Sequence, residues 1–358
     1  MKMLYIGPRV EKISTGGDSV NKRNENLLKK IFDKNLNIYY IQNSTNTIFD
    51  KLKGYLGGIT KYDIDEIIEN ISLNKIDCIF LSQSFYGLLC KKIKIKYPHI
   101  RIITFYHNIE THYAKEYIKT SGLIHFPFYF LATYNEKQTI KYSDYHIVLN
   151  ERDDHLMKKI YGVESDFFLP VSYKDIFDSS KVKFSLDDPL KLLFVGSAFF
   201  GNMSGIEFFI EDVMPQLDVE LIIVGKGMDK FKDKFEVYDN VKVFGFVDDL
   251  SALYYDASIV IAPIFSGGGM KTKIAEALMY GKTIIGTKEA FEGYKRAQNV
   301  IYECNNAEEF ITCIKKLKND DKLTPFNHFS RELYQKNYDD IVLEQKLKFF
   351  LQTIGSIS

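Results

Sequence analysis

The residues densest in chemistry are Gly267 to Lys282, GGGMKTKIAEALMYGK. An apolar run, SIVIAPIF, leads into the three glycines; two lysines follow, then a helical pattern with a single acid, Glu276. A helix N-terminus leaves backbone N–H groups unpaired and carries partial positive charge, so it receives anions. Glycines let that backbone come close to a phosphate and take positive φ. Lys271 adds a point charge where a pyrophosphate would sit. Glu276, further along, is an acceptor suited to two neighbouring hydroxyls such as those of a ribose. The spacing predicts a strand ending at Phe265, a loop over 266–270 and a helix beginning near Lys271. Taken alone, the same residues also fit a glycine-rich turn with a solvated Lys273–Glu276 pair at i, i+3.

The elements that must hold this segment are short β-branched and aromatic runs alternating with helical patterns. In the first half the strand candidates are MLYIG, NIYYIQ, DCIFLSQ, RIITFYHN, YHIVLN and SDFFLPV; in the second, KLLFVGS, VELIIVG, VKVFGF, SIVIAPIF, KTIIGT and NVIYEC. Nearly unbroken apolar strands separated by helix-length segments predict parallel sheets covered on both faces. The pattern occurs twice, so the expected class is α/β with two Rossmann-like, doubly wound domains. At 358 residues the chain is long enough for both. Expected boundaries are 1–170, a polar linker over 171–189, 190–329, and a helical C-terminal segment over 330–358. A helix is predicted around Ala307 to Lys318 and a long terminal one from about Ser330 to Thr353. Ligands of such sheets bind beyond the carboxyl ends of the strands, and the cleft between two facing domains is the expected site.

The segment APIFSGGGMKTKIAEALMYGKTIIGTKEAFEG resembles the donor-binding stretch of retaining GT-B glycosyltransferases of the group 1 type. The likeness rests on Gly267, Gly269, Lys271, Lys273, Glu276 and Ala277, then Thr287, Glu292 and Gly293. Other landmarks are co-linear: Gly16 and Gly17 after the first strand, YHNIETHY after the fourth, FVGS with Asn202 at the start of the second domain, then IIVGKG and VFGFVDDL. The resemblance implies a C-terminal domain that binds a nucleotide-sugar, an N-terminal domain that binds the acceptor, and a C-terminal helix crossing back to the N-terminal domain.

On this resemblance Glu276 holds the ribose hydroxyls, while Lys271, the Gly268 and Gly269 amides and Lys273 offset the diphosphate charge that grows as the glycosidic bond breaks. Gly245, Phe246 and Val247 line the base, and Gly196 and Gly225 keep their turns open. Gly16 and Gly17 approach the sugar and phosphate, and Asn202 donates to the diphosphate. His107 positions the transferred sugar; His112 is read as a helix-surface residue. Two departures stand out. Many relatives carry an acid eight residues before Glu276, where this chain has Gly268, and an arginine and lysine where it has Ser197 and Asn202.

Composition limits the alternatives. Formal net charge is zero, which argues against a general nucleic-acid binder. The four cysteines form no C-x-x-C pair and no zinc ligand set. No signal peptide is expected in MKMLYIGPRV, and GLIHFPFYFLATY is too short and interrupted to span a bilayer. The expected location is the cytoplasm. Asp63-Ile64-Asp65 is literally a D-x-D metal signature, but it opens a helical pattern where acids serve as caps. No metal and no cofactor are expected. KKIKIKYP concentrates lysines, and GLIHFPFYF could face a membrane interface or be a buried helix, so peripheral membrane contact is a secondary expectation. The reading is a hexose transfer from a nucleoside diphosphate, UDP first, to a glycan, lipid-linked or protein acceptor in bacterial surface glycan synthesis. The rival is a non-catalytic GT-B partner subunit.

Overall fold

A computed structural model of the protein describes residues 1–358 except 44, 184, 187, 188, 320–322 and 356–358, with 120, 121 and 123 described by backbone only. Part of the expected linker (184, 187, 188) and the end of the expected C-terminal segment therefore lie outside the described residues. All twelve predicted strands form. The first sheet comprises β1 (Met3–Pro8), β2 (Leu36–Ile41), β3 (Cys78–Leu81), β4 (Arg101–Tyr106), β5 (Tyr145–Val148) and β6 (Phe167–Phe168), in the order β2-β1-β3-β4-β5-β6. The second comprises β7 (Leu190–Val195), β8 (Val219–Val224), β9 (Val241–Phe244), β10 (Ile259–Ala262), β11 (Thr283–Gly286) and β12 (Ile301–Glu303), in the order β12-β11-β10-β7-β8-β9. Every pairing is parallel.

The reason is burial on both faces. Every residue of β3 and β10 is buried, and β8 has only Glu220 partly accessible. Helices cover the faces, and the apolar side chains between them form separate cores, one around Ile6, Ile79 and Leu89 and one around Phe194, Phe209 and Ile261. The second sheet reverses direction between β7 and β10, which makes the loops after those two strands the expected ligand position.

The chain divides into two compact units. Unit 1 is Met1–Lys12, Val20–Pro170 and Glu344–Ser358; unit 2 is Ile13–Ser19 and Val171–Leu343. Segment Ile13–Ser19 thus groups with the second sheet, although sequence order places it in the first domain. The expected linker groups with unit 2 as well.

The single long terminal helix expected from Ser330 is two helices, His328–Asn337 and Asp340–Thr353. Between them Tyr338 O accepts from Tyr173 N at 3.1 Å and Asp340 N donates to Tyr173 O at 2.9 Å. This parallel bridge at Asp339 takes the backbone groups that a continuous helix would have used.

Asp63 is a cap, as its place in the sequence implied. Its carboxylate accepts from Thr60 N at 2.8 Å and from Thr60 Oγ1 at 2.6 Å, closing a capping box at helix Lys61–Asn74. Asp65 is ion-paired to Lys92 at 2.6 Å. The cysteines are free. No helix among the described residues is long and apolar enough to cross a membrane, and no group of three His, Cys, Asp or Glu there could hold a metal.

Candidate donor site

The loops after β7, β8 and β9 and helix Thr272–Met279, which follows β10, converge in unit 2 on a cavity of about 370 Å³. Two glycines let the first two loops close up. A Cβ on Gly225 would lie 2.0 Å from Gly196 O, and one on Gly196 would lie 2.8 Å from Lys273 Nζ. The backbone is tied there by Gly196 N donating to Val224 O at 2.9 Å and Gly225 N donating to Phe244 O at 3.2 Å. Any side chain at either position would fill the space through which backbone and lysine reach the cavity.

Helix Thr272–Met279 supplies the charged groups, with Lys271 as its N-cap residue. Lys273 and Glu276 both line the cavity. Lys273 is buried; its Nζ donates to Asn202 Oδ1 at 2.9 Å and sits 4.1 Å from the centroid of the Phe194 ring. Asn202 Nδ2 donates in turn to Ser197 O at 2.9 Å, which fixes the amide so that its oxygen faces the lysine. Burial, with the neighbouring Lys271 charge, pulls the Lys273 ammonium down to about 7. Burial pushes the Glu276 carboxyl up to about 7, and the hydrogen bond from Tyr254 OH, 3.0 Å from Oε2, opposes that shift. Tyr254 is held by stacking on Tyr280, with ring centroids 4.7 Å apart. Tyr280 OH is itself 2.8 Å from Ser251 Oγ.

Segment Ile13–Ser19, a short loop running into the first turn of helix Gly16–Phe32, completes the cavity. A Cβ on Gly16, the first residue of that helix, would meet Thr272 Oγ1 at 3.0 Å, so glycine lets the two helix starts lie close together without crowding Thr272. Ser14 Oγ accepts from Lys226 Nζ at 3.2 Å. Phe246, Val247 and Leu250, from the loop after β9, line the same space.

Of the residues singled out from sequence, Gly16, Gly196, Asn202, Gly225, Phe246, Val247, Lys273 and Glu276 line this cavity. Gly245, Gly268, Gly269 and Lys271 belong to the adjoining loops, and Gly17 to the first turn of helix Gly16–Phe32. Lys271 Nζ donates to Glu289 Oε1 at 2.8 Å, to Gly269 O at 3.0 Å and to Gly268 O at 3.3 Å. Glu289 was not anticipated: its partner lies in another loop, and no periodicity reports a contact between two loops. Asn202 was expected to reach the diphosphate itself, whereas here its carbonyl holds the lysine that lines the cavity.

His107 lies in unit 1 at the carboxyl end of β4. Its Nε2 is 3.0 Å from Asn21 Oδ1 and 3.1 Å from Ser82 O. Two acceptors around one ring nitrogen place the proton on Nε2. The ring packs edge-on against Phe105 with centroids 5.0 Å apart. His112 sits in helix Glu110–Ser121, half-buried, and burial lowers its pKa.

Comparison with known proteins adds to this geometry. Sucrose-phosphate synthase from Thermosynechococcus elongatus superposes with a TM-score of 0.74 at 12% identity, covering 100% of both chains. Anabaena HepE in complex with UDP does so at 0.70 and 12%, again covering 100% of both chains. The fold is GT-B. Within this GT-B chain, residues 189–320 match the family described as "Glycosyl transferases group 1". An uncharacterized 44.6 kDa protein of the cps region of Klebsiella pneumoniae is 24% identical over 362 residues, spanning 93% of this chain and 88% of its own. The group 1 match takes in β7 to β12 and therefore all of the cavity except the Ile13–Ser19 segment and the stretch around Tyr173.

Proposed function

We propose that this protein is a retaining glycosyltransferase that moves a hexose-type sugar from a nucleoside diphosphate, UDP first, to an acceptor hydroxyl in bacterial surface glycan assembly in the cytoplasm. The observation that carries the reading is one cavity offering an under-bonded carboxylate and a buried ammonium at the switch point of the second sheet. Glu276 would accept from the two ribose hydroxyls. Lys273, aimed by Asn202, and the backbone N–H groups at the start of helix Thr272–Met279 would face the diphosphate. Charge accumulates on the diphosphate as the glycosidic bond breaks, so groups fixed there beforehand favour the transition state over the bound donor. Lys271 would serve the same charge from the glycine loop by exchanging Glu289 for phosphate oxygen. His107 would position the transferred sugar. Neither a metal nor a cofactor is required by this arrangement.

Support for the nucleotide comes from the UDP held by Anabaena HepE, and for the pathway from the cps region of the Klebsiella relative. The acceptor is proposed as a glycan, lipid-linked or protein hydroxyl. Calorimetric titration with UDP, GDP and dTDP, with and without magnesium, tests the donor site. Micromolar binding of UDP, unchanged by magnesium and lost in Glu276→Ala, is expected. Binding of none of the three would sink the assignment and favour a non-catalytic partner subunit.

A further inference from the structure

Unit 1 exposes apolar side chains from two separate elements on either side of an open groove of about 670 Å³. The first is the short helix Ile48–Leu52, which buries none of its residues. Ile48 is 75%, Phe49 77% and Leu52 79% exposed. The second is the turn and start of helix Phe126–Tyr142, where Ile124 is 83%, Phe126 47% and Phe130 57% exposed. Single exposed apolar residues need no explanation, but a cluster of this density around a concavity marks an interaction surface.

The short helix is built to hold this presentation. Thr47 and Asp50 form a reciprocal capping box, with Thr47 Oγ1 donating to Asp50 Oδ2 at 2.6 Å. The only acid of the segment is thereby spent on the backbone. Lys51 and Lys53, both exposed, stand next to Phe49 and Leu52 and have no acidic partner among the described residues. In the lysine-rich KKIKIKYP segment, Lys92 is paired to Asp65 at 2.6 Å and Lys94 to Asp144 at 2.7 Å, which leaves Lys91 and Lys96 without an acidic partner among the described residues. Apolar side chains beside uncompensated lysines are the pattern of a surface that enters the headgroup boundary of a bilayer. The lysines reach phosphate while their stems lie along the apolar layer.

We propose that this face of unit 1 docks on an anionic lipid bilayer, with Phe49, Leu52 and Phe130 entering the acyl boundary and Lys51 and Lys53 meeting lipid phosphates. The contact is interfacial, since no described helix can cross a membrane. It gives the protein a partner that the donor site does not specify, and it does not rest on the donor-site reading.

The test is co-sedimentation of the full chain with vesicles of phosphatidylcholine alone and of phosphatidylcholine mixed with phosphatidylglycerol, with UDP calorimetry on the same preparations. Wild type is expected to sediment with the anionic vesicles and to be released by salt. Phe49→Ser with Leu52→Ser should weaken this by about tenfold or more, since two large apolar groups no longer leave water. Lys51→Glu with Lys53→Glu should abolish the preference for phosphatidylglycerol. Both variants should bind UDP as wild type does, because neither alters the cavity of unit 2. The proposal is overturned if wild type sediments with neither vesicle, or if the Phe49/Leu52 variant sediments like wild type. It is equally overturned if light scattering shows a wild-type dimer that the same variant dissolves while vesicles capture neither. Vesicle binding without UDP binding would count against the donor site and leave this surface standing.

Discussion

Two carboxylates, Glu136 of unit 1 and Glu276 of unit 2, are both raised in pKa by burial, and the fold treats them differently. Glu136, in helix Phe126–Tyr142 of unit 1, accepts from Glu110 N at 2.7 Å, Thr111 N at 3.0 Å and Tyr161 OH at 2.5 Å. It is the acceptor for the free N–H groups at the start of helix Glu110–Ser121, so its burial is matched by donors on several sides. Glu276 in unit 2 receives Tyr254 OH as its hydrogen bond among the described residues, and it lines a cavity. A carboxylate has room for about four donors. One that the fold has saturated is holding the fold; one with vacant lone pairs facing a cavity is kept for a ligand. Burial raises the pKa of both, and in Glu136 the donors around it pull back against that shift.

Substitution is the direct way to break this contrast. Glu136→Ala should have the largest effect on folding, about 3 kcal/mol or more, because it strands two backbone N–H groups without an acceptor and removes one partner of the Tyr161 hydroxyl. Urea unfolding followed by circular dichroism measures it, and UDP affinity of the folded fraction should not change. Glu276→Ala should do the opposite. UDP affinity should fall by about 10- to 100-fold, the range for hydrogen bonds to a charged group, while the urea midpoint moves little. If Glu276→Ala unfolds the protein as readily as Glu136→Ala does, the distinction is wrong.

The pH dependence sharpens it further. On the proposed function Glu276 would accept from ribose hydroxyls best when ionised, and its pKa is raised to about 7, so donor affinity should fall as pH drops below 7. On the same proposal Lys273 would attract a diphosphate only when protonated, and its pKa is lowered to about 7, so affinity should also fall as pH rises above 7. A UDP-sugar, whose diphosphate stays ionised throughout, should therefore bind with a bell-shaped profile centred near 7. Glu276→Gln should flatten the acid limb and Lys273→Met the basic limb. Stability responds with its own signs. The raised carboxyl costs the folded state stability as pH climbs from the ordinary carboxyl value to about 7. The depressed ammonium adds stability as pH climbs from about 7 towards the ordinary lysine value. A profile with one limb, or one unchanged in both variants, would remove these two groups from the site.

The smallest effect is expected at the D-x-D sequence. Asp63→Ala should cost about 1 kcal/mol, the worth of a helix cap, and should leave nucleotide binding the same with or without magnesium. Magnesium-dependent binding lost in this variant would restore the metal reading.

What could be read from the sequence was what is encoded over short distances. The alternation of apolar runs and helical patterns located every strand, because a strand covered on both faces must be apolar along its length. Glu276 and Lys273 were visible for the same reason: they lie on one short helix, three residues apart. Glu289, meeting Lys271 from a separate loop, was not visible, nor was Asn202 as the residue that aims Lys273. Segment Ile13–Ser19 joins unit 2 through the close fit of Gly16 on Thr272, a contact spanning most of the chain. The exposure of Ile48, Phe49 and Leu52 was equally hidden, since their composition alone is that of a core helix.

The division of the chain carries a consequence for biosynthesis. Neither unit is a continuous stretch: unit 2 needs Ile13–Ser19, and unit 1 needs Glu344–Ser358, where Phe350 stacks on Phe167 at 4.8 Å. A ribosome delivers the Ile13–Ser19 segment of the cavity long before the sheet it serves, and the segment completing the first sheet's surroundings after that of the second. Unit 1 cannot finish folding ahead of unit 2 as the first bead on a string would. The nascent chain therefore waits, with Phe167 uncovered, until translation has passed through unit 2, and that interval is when it most needs protection from aggregation.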